Sequence, residues 1–401
     1  MQTVTAPGSL VEDAELETLR GIAEAGLPAF LADLERLVNV DCGSYSPAGV
    51  NEIADWVVSD MAGNGAHVER ISDTGGRYGD TVIGTFDGRP GPGPRLILIG
   101  HMDTVFPDGT AAARPFRIEG STAYGPGVSD MKGGLLAGYY AVRALQELGA
   151  ELGEGLPHIT YVCNPDEEIG SPFSGPVILE QAGSADACFV LEGARENGDI
   201  VSARKGVVDL RLIVHGRAAH AGVEPERGRS ATLQAAHTTI ALHELNGRWP
   251  GVTVNVGVVH GGTRPNVVAE RCDLRVDVRA VTARNFDEAL IEVERRARET
   301  VVPDVTVEFV AQSGFPPMEK TKATVRLVER AKVVAGELGF EVKDAATGGA
   351  SDANPVAGMG VPTLDGLGPI GGADHAPGEW LDLESVVPRV AMLAGLIASS
   401  P

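Results

Sequence analysis

The chain has 401 residues, of which 43% are hydrophobic and 22% are charged, and this composition indicates a globular protein of two or three domains. Its formal net charge of −22 disfavours binding to nucleic acid or to an anionic membrane, because both depend on clustered lysine and arginine. No run of about eighteen apolar residues is present, and the acidic amino terminus is unlike a secretion signal, so we expect a cytoplasmic protein that does not enter a membrane.

The first part of the chain predicts an α/β arrangement. Its elements are, in order, a helix at about 12–38, strands at 81–86 and 95–101, a glycine-rich helix at about 130–149, and strands that end near Asn164 and Gly193. Strands that alternate with helices are typical of a mostly parallel sheet covered by helices.

The pattern changes at about residue 206. A strand, a helix at 228–246, two strands, a helix at 284–300 and a further strand follow, and this β-α-β-β-α-β order is typical of a compact open-faced sandwich. We therefore predict an α/β domain at 1–205 and 313–401, interrupted by an inserted α+β domain at 206–312. The second part of the α/β domain contains helices at about 320–338 and 384–398.

Histidines and carboxylates follow the predicted strands and glycine-rich loops. They are His101 and Asp103 after RLILIG, Asp130 after YGPGVS, Glu167 and Glu168 after HITYVC, Glu192 after ACFVL, and His375 within GGADHAPGE. Each has an ordinary explanation by itself, such as a turn, a solvated acidic loop or a helix cap. Together they predict a metal site, because ligands bind at the carboxyl ends of the strands in open α/β sheets.

The cysteines point away from a thiolate site. Cys42, Cys163, Cys188 and Cys272 are far apart and form no CxxC pair, so buried reduced thiols are expected. A metal would therefore be held by histidine, aspartate and glutamate.

Several motifs carry a resemblance to a known family. They are HMDTV (101–105), YGPGVSDMKGG (124–134), NPDEEIGS (164–171), LEG (191–193), AAHAG (218–222) and GGADHAPGE (371–379). The chain resembles the co-catalytic di-zinc aminoacylase and carboxypeptidase family, which includes acetylornithine deacetylase and succinyl-diaminopimelate desuccinylase. Its motifs are most similar to those of the bacterial glutamate carboxypeptidase branch.

The resemblance implies a site for two zinc ions, which Co²⁺ or Mn²⁺ could replace. The implied ligands are His101 and Glu192 for one ion, Glu168 and His375 for the other, and Asp130 between the two. Imidazole and carboxylate suit zinc, and a bridging carboxylate reduces the repulsion between two dications roughly 3–4 Å apart. Asp103 would fix the tautomer of His101, and the peptide bond after Asp130 would be cis.

The resemblance also implies catalytic roles. A water between the ions would attack the amide, and Glu167 would act as the general base and return the proton to the leaving nitrogen. In the inserted lid domain, Asn266 and Arg279 would bind the substrate's carboxylate. His220 would stabilise the oxyanion in the partner subunit of a homodimer formed through that domain.

The expected reaction is hydrolysis of an N-acyl amino acid or short peptide with a free C-terminal carboxylate. A deacylase of the acetylornithine or succinyl-diaminopimelate type has the same metal ligands and remains an alternative. A non-catalytic binding protein on the same scaffold is an alternative of another class, although it would be expected to lack a ligand or the base.

Overall fold

The computed structural model describes residues 13–88, 93–152 and 157–400. Residues 1–12, which are part of the segment 1–19 on which the expectation about a secretion signal rests, lie outside this range. Among the described residues, no helix combines the length and the apolar character needed to cross a membrane.

The helices and strands have the following bounds. The helices are α1 (Asp13–Val38), α2 (Pro47–Gly63), α3 (Thr110–Ala113), α4 (Gly133–Leu152), α5 (Gly175–Ala182), α6 (Ala231–His243), α7 (Ala283–Arg298), α8 (Lys322–Glu337), α9 (Ala353–Gly358) and α10 (Val386–Ala398). The strands are β1 (His67–Ile71), β2 (Thr81–Phe86), β3 (Arg95–His101), β4 (Arg117–Glu119), β5 (Thr122–Tyr124), β6 (His158–Asn164), β7 (Ala187–Val190), β8 (Ile200–Arg204), β9 (Gly206–His215), β10 (Thr253–Gly261), β11 (Arg271–Ala280), β12 (Thr306–Phe315), β13 (Asp344–Thr347), β14 (Thr363–Leu364), β15 (Gly371–Gly372) and β16 (Trp380–Asp382).

The described residues fall into two compact units. The first contains the described parts of Met1–Ser202, Lys320–Ala345 and Met359–Pro401, and the second contains Ala203–Glu319 and Ala346–Gly358.

This division differs from the predicted domain bounds chiefly at 346–358. The side-chain amide of Asn354 donates to the carbonyls of Lys205 and Pro316 at 3.1 and 2.7 Å, which ties this segment to the residues that flank the predicted insertion on both sides. These contacts join residues that are far apart in sequence, so local patterns could not predict them.

The first unit is built on a sheet with the strand order β1-β2-β6-β3-β7-β14. Strands β6, β3, β7 and β14 run parallel, whereas β1 and β2 form an antiparallel edge. Residues 96–99 of β3 are buried, as expected for a parallel strand covered on both faces. Helices α1, α4 and α10 pack against one another in the same apolar core. The predicted α/β class is confirmed.

The second unit has an antiparallel sheet with the order β10-β11-β9-β12. Alternate residues of β9 and β11 are buried, and they form one apolar core with α6 and α7. Both helices begin at a capping hydroxyl: Ser230 accepts the N–H of Leu233, and Thr282 accepts that of Asn285. The element order is the predicted β-α-β-β-α-β, because β9, α6, β10, β11, α7 and β12 follow one another along the chain.

Candidate metal centre

The carboxyl ends of β3, β6 and β7 meet at one edge of the first sheet. His101, the last residue of β3, is paired with Asn164, the last residue of β6. Leu191, directly after β7, donates its backbone N–H to a carbonyl of β3 at 3.0 Å. The acidic residues that follow β6 and β7, Glu168 and Glu192, are therefore brought to the same edge as His101.

Asp130 lies between β5 and α4 in a loop held by the buried carboxylate of Glu379. Oε2 of Glu379 accepts the backbone N–H of Gly127 at 2.9 Å, and Oε1 accepts those of Ser129 and Asp130 at 2.8 and 3.0 Å. Gly127 has a φ of 74°, a conformation that favours glycine. The peptide bond between Asp130 and Met131 is cis, as the family resemblance implies.

The ligand candidates form two groups that share Asp130. In the first group, His101 Nε2 lies 3.0 Å from Asp130 Oδ1 and 3.7 Å from Glu192 Oε1. In the second, His375 Nε2 lies 3.1 Å from both Asp130 Oδ2 and Glu168 Oε2. The two oxygens of one carboxylate thus face different imidazoles, which is the arrangement that a bridging ligand requires.

The electrostatics of these groups favour a bound cation. Burial by itself lowers the pKa of His101, but the carboxylates of Asp103, Asp130 and Glu192 outweigh burial and raise that pKa well above its ordinary value. Hydrogen bonds to two carboxylates raise the pKa of His375 to about 10. The same carboxylates leave an excess of negative charge when the imidazoles are neutral, as ligation of a metal requires. Divalent cations bound at the two groups would balance that charge.

The donor chemistry fits zinc. Each group offers one imidazole nitrogen and two carboxylate oxygens, all within 4.8 Å of one another. Nitrogen and oxygen ligands of this kind are usual for catalytic zinc, which keeps a position for water or substrate. The four cysteines are buried and form no disulfide bond among the described residues, and neither group includes one of them.

Asp103 connects the first group to the segment after β6. His101 Nδ1 lies 3.0 Å from the backbone oxygen of Asp103 and 3.4 Å from its Oδ1. The carboxylate accepts the backbone N–H groups of Glu167 at 3.1 Å and Glu168 at 3.2 Å, and the hydroxyl of Ser44 at 2.6 Å. Asp103 can therefore fix the histidine ring, chiefly through its backbone oxygen, and the Glu167–Glu168 turn through its carboxylate.

The general-base candidate, Glu167, directly precedes the ligand candidate Glu168. It begins a short helical turn, Glu167–Ile169, and its side chain is half-buried. The backbone N–H of Glu167 donates to the carboxylate of Asp103, and this hydrogen bond helps to fix the position of Glu167.

The remaining predicted site residues lie in the second unit. His220 and Asn266 are brought together, because the N–H of Ala221 donates to the Asn266 carbonyl at 3.0 Å, and both residues are exposed. Arg279 lies on β11, where it pairs with Asp277 at 3.0 Å and donates to the carbonyl of Gly348 at 2.7 Å. Part of the Arg279 guanidinium is therefore engaged within its own unit.

The sequence patterns missed Ser44 and Glu379. Glu379 follows His375 by four residues in the GGADHAPGE motif, so the motif itself offered a signal for it. Ser44 precedes α2 and belongs to no motif used above, and its contact with Asp103 spans 59 residues. Neither contact could be inferred from periodicity.

The comparisons with known proteins agree with this geometry. The sequence profile of peptidase family M20/M25/M40 matches residues 97–399. The chain is 31% identical over 376 residues to carboxypeptidase G2 from Pseudomonas sp. (strain RS-16), covering 92% of this chain and 89% of that protein. It is 26% identical over 388 residues to acetylornithine deacetylase from Myxococcus xanthus, covering 93% and 97%.

A solved structure shows the same fold. Aminopeptidase PepT from Bacillus cereus ATCC 10987 superposes with a TM-score of 0.73 at 23% identity, covering 97% of this chain and 99% of that one.

Proposed function

Because the chain belongs to peptidase family M20/M25/M40, we propose that it is a di-zinc hydrolase of N-acyl amino acids or short peptides with a free C-terminal carboxylate. Membership of this family makes it a metal-dependent hydrolase. The observation that supports the two-ion assignment best is Asp130, whose two oxygens face His101 and His375. The glutamate carboxypeptidase type is favoured because the highest identity quoted above, 31%, is to a carboxypeptidase.

The chain's own residues supply the proton transfers of the proposed mechanism. Zinc at the two groups would supply a Lewis acid for the scissile carbonyl and would lower the pKa of the attacking water. Glu167 accepts the proton of that water and passes it to the leaving nitrogen. Asp103 keeps His101 in one tautomer and holds the Glu167 main chain, so that the base is oriented before substrate arrives.

The second unit would bind the substrate's carboxylate. Arg279 presents a planar guanidinium, which can donate two parallel hydrogen bonds to a carboxylate, and Asn266 can add an amide donor. The exposed His220 would stabilise the oxyanion of the tetrahedral intermediate. Arg279 would then exchange part of its contact with Asp277 and Gly348 for the substrate.

We also propose that the protein forms a homodimer through the second unit. Strand β10 is an edge strand among the described residues, and its Val258 and Val259 are more than half exposed. Leu233 and Ile240 on the outer face of α6 are exposed to a similar degree. An unpaired edge with apolar residues beside it is suited to pairing with a second copy, which would extend the sheet and cover the apolar surface.

A substrate panel tests the proposed reaction. The purified zinc-loaded protein is assayed with dipeptides and with N-acetyl, N-succinyl and N-benzoyl derivatives of glutamate, aspartate, ornithine, diaminopimelate, leucine and phenylalanine. The proposal is supported if the amide bond is hydrolysed in derivatives with a free carboxylate and is not hydrolysed in the matched methyl esters. No hydrolysis in the whole panel, with two ions bound, would refute it.

The same panel separates the deacylase alternative. Acetylornithine deacetylase from Myxococcus xanthus is 26% identical to this chain over 93% of its length. Strong preference for N-acetylornithine or N-succinyl-diaminopimelate over glutamate derivatives and dipeptides would therefore favour the deacylase type. Metal analysis addresses the non-catalytic alternative, which predicts fewer than about two ions per chain.

A further inference from the structure

Among the described residues, Tyr45 is the one aromatic residue in the set of exposed large apolar side chains, and it is 61% exposed. Its ring centroid lies 6.0 Å from that of Tyr78, which in turn stacks on Phe173 at 6.3 Å with an interplanar angle of 18°. The Arg77 guanidinium carbon lies 5.3 and 5.2 Å from the centroids of Tyr45 and Tyr78. We refer to these four residues as the aromatic cluster.

The loop that carries Arg77 and Tyr78 is held by hydrogen bonds to the carboxylate of Asp73. Asp73 accepts the N–H groups of Gly75, Arg77 and Tyr78 at 2.9, 2.8 and 3.2 Å, which fixes the loop that carries the arginine and the second ring. Tyr45 lies in a tight turn that leads into α2. The exposed ring is thus presented from a well-defined main chain and its stacking surface is preformed.

The aromatic cluster is joined to segments of the metal centre at two points, once through the chain and once through a hydrogen bond. Tyr45 directly follows Ser44, whose hydroxyl donates to Asp103 at 2.6 Å. Phe173 donates its backbone N–H at 2.6 Å to Asp166, the residue before Glu167. Tyr45 is therefore one residue away from the hydrogen bond between Ser44 and Asp103. The backbone of Phe173 is hydrogen-bonded to the residue that precedes the proposed base, Glu167.

We propose that the aromatic cluster is the subsite for the substrate's acyl group and that it favours a flat aromatic acyl group, such as benzoyl, over a small aliphatic one. This inference rests on the proposed function. An acyl ring stacked on Tyr45 would cover apolar surface that water now contacts, and ring pairs add a favourable interaction beyond that burial. An acetyl group has a single methyl and no ring, so it covers much less apolar surface and gains no interaction between rings.

Matched substrates test the inference. kcat/KM is measured for N-benzoyl, N-cyclohexanecarbonyl and N-acetyl derivatives of each amino acid in the panel above, with wild type, Tyr45→Ala and Tyr45→Phe. We expect Tyr45→Ala to lower kcat/KM for the benzoyl derivative about tenfold and to change that for the acetyl derivative less than about twofold. Tyr45→Phe keeps the ring and should retain the benzoyl preference. The cyclohexane ring has similar size but no flat face, so its derivative should be cleaved less efficiently than the benzoyl one.

The possible outcomes separate this inference from the proposed function. If acetyl derivatives are cleaved but benzoyl derivatives are cleaved no better, or if Tyr45→Ala lowers both equally, the subsite is refuted while the hydrolase remains. If no derivative is cleaved, the proposed function fails and the subsite fails with it. Val333→Ala, which shortens an exposed apolar side chain on α8, serves as the control. It should leave the ratio of kcat/KM for the benzoyl derivative to kcat/KM for the acetyl derivative unchanged.

Discussion

The buried hydroxyl of Ser44 donates a 2.6 Å hydrogen bond to Oδ2 of Asp103, the carboxylate that also holds the backbone of Glu167 and Glu168. A residue outside every recognised motif thereby restrains Asp103, whose backbone oxygen and Oδ1 lie 3.0 and 3.4 Å from Nδ1 of His101. Charge-assisted hydrogen bonds in buried sites are stronger than neutral ones, so this contact should matter for both stability and catalysis.

Replacing Ser44 with alanine removes that donor. We expect the free energy of unfolding to fall by about 1–3 kcal/mol and kcat to fall severalfold, because the Asp103 carboxylate loses one of its restraints. Denaturant titration and steady-state kinetics measure the two effects. Ser230→Ala removes the cap of α6 in the second unit and should cost about 1 kcal/mol with kcat unchanged. An unchanged kcat in Ser44→Ala would count against the role of Asp103.

Replacing Glu167 with glutamine keeps its shape and removes the proton acceptor. We expect kcat to fall by at least about a hundredfold, because general acid–base catalysis commonly contributes that much. The metal content by mass spectrometry should remain that of wild type. Turnover close to wild type would refute Glu167 as the base. Glu168→Gln is the matched control, since it alters the neighbouring ligand candidate and should lower the metal content.

The shared position of Asp130 predicts different metal losses for two variants. Asp130→Asn weakens a ligand of both groups, so both ions should dissociate during dialysis. His375→Ala removes a ligand of the second group only, so about one ion per chain should remain. Metal analysis after dialysis against a weak chelator measures both. Equal losses in the two variants would contradict the bridging assignment.

Glu379 predicts a pH dependence of stability in the metal-free protein. Burial raises the pKa of this 2% exposed carboxyl to about 7, against an ordinary value of 4.5. Because the folded state binds the proton more tightly than the unfolded state, this stabilisation is complete below pH 4.5 and is lost as the pH rises through about 7.

Glu379→Gln lacks the titrating group and provides the comparison. The free energy of unfolding of wild type minus that of the variant should fall by about 3 kcal/mol between about pH 4 and pH 8. Denaturant titrations in the presence of a chelator measure it. A difference that is independent of pH would show that the folded pKa of Glu379 is ordinary.

Mixing two inactive variants tests the proposed dimer. If His220 serves the partner's site, subunit exchange between Glu167→Gln and His220→Ala yields one site with an intact Glu167 and an intact His220. Part of the activity should then return, to at most about a quarter of wild type in an equal mixture, because half of the dimers are mixed and each has one competent site. If His220 serves its own chain, no activity returns. Light scattering at micromolar concentration should also show a dimer.

The motifs determined the chemical identity of the candidate ligands, because His101 and Glu192 directly follow apolar runs and Glu168 follows another within five residues, and the ends of these runs are readable in the sequence. The alternation of strands and helices likewise predicted the α/β class and the β-α-β-β-α-β order, since both follow from local periodicity. Glu379 was within a quoted motif, but its contact with Asp130 spans 249 residues and had no local signature.

Only the tertiary structure decided which groups meet. It placed the two oxygens of Asp130 toward different histidines, brought Ser44 to Asp103 and joined 346–358 to the second unit. It also brought Tyr45, Tyr78 and Phe173 together and bonded the Phe173 backbone to Asp166, the residue before Glu167. The physical reason is that periodicity reports which face of an element is buried, whereas hydrogen bonds and ring contacts between distant segments depend on how the whole chain packs.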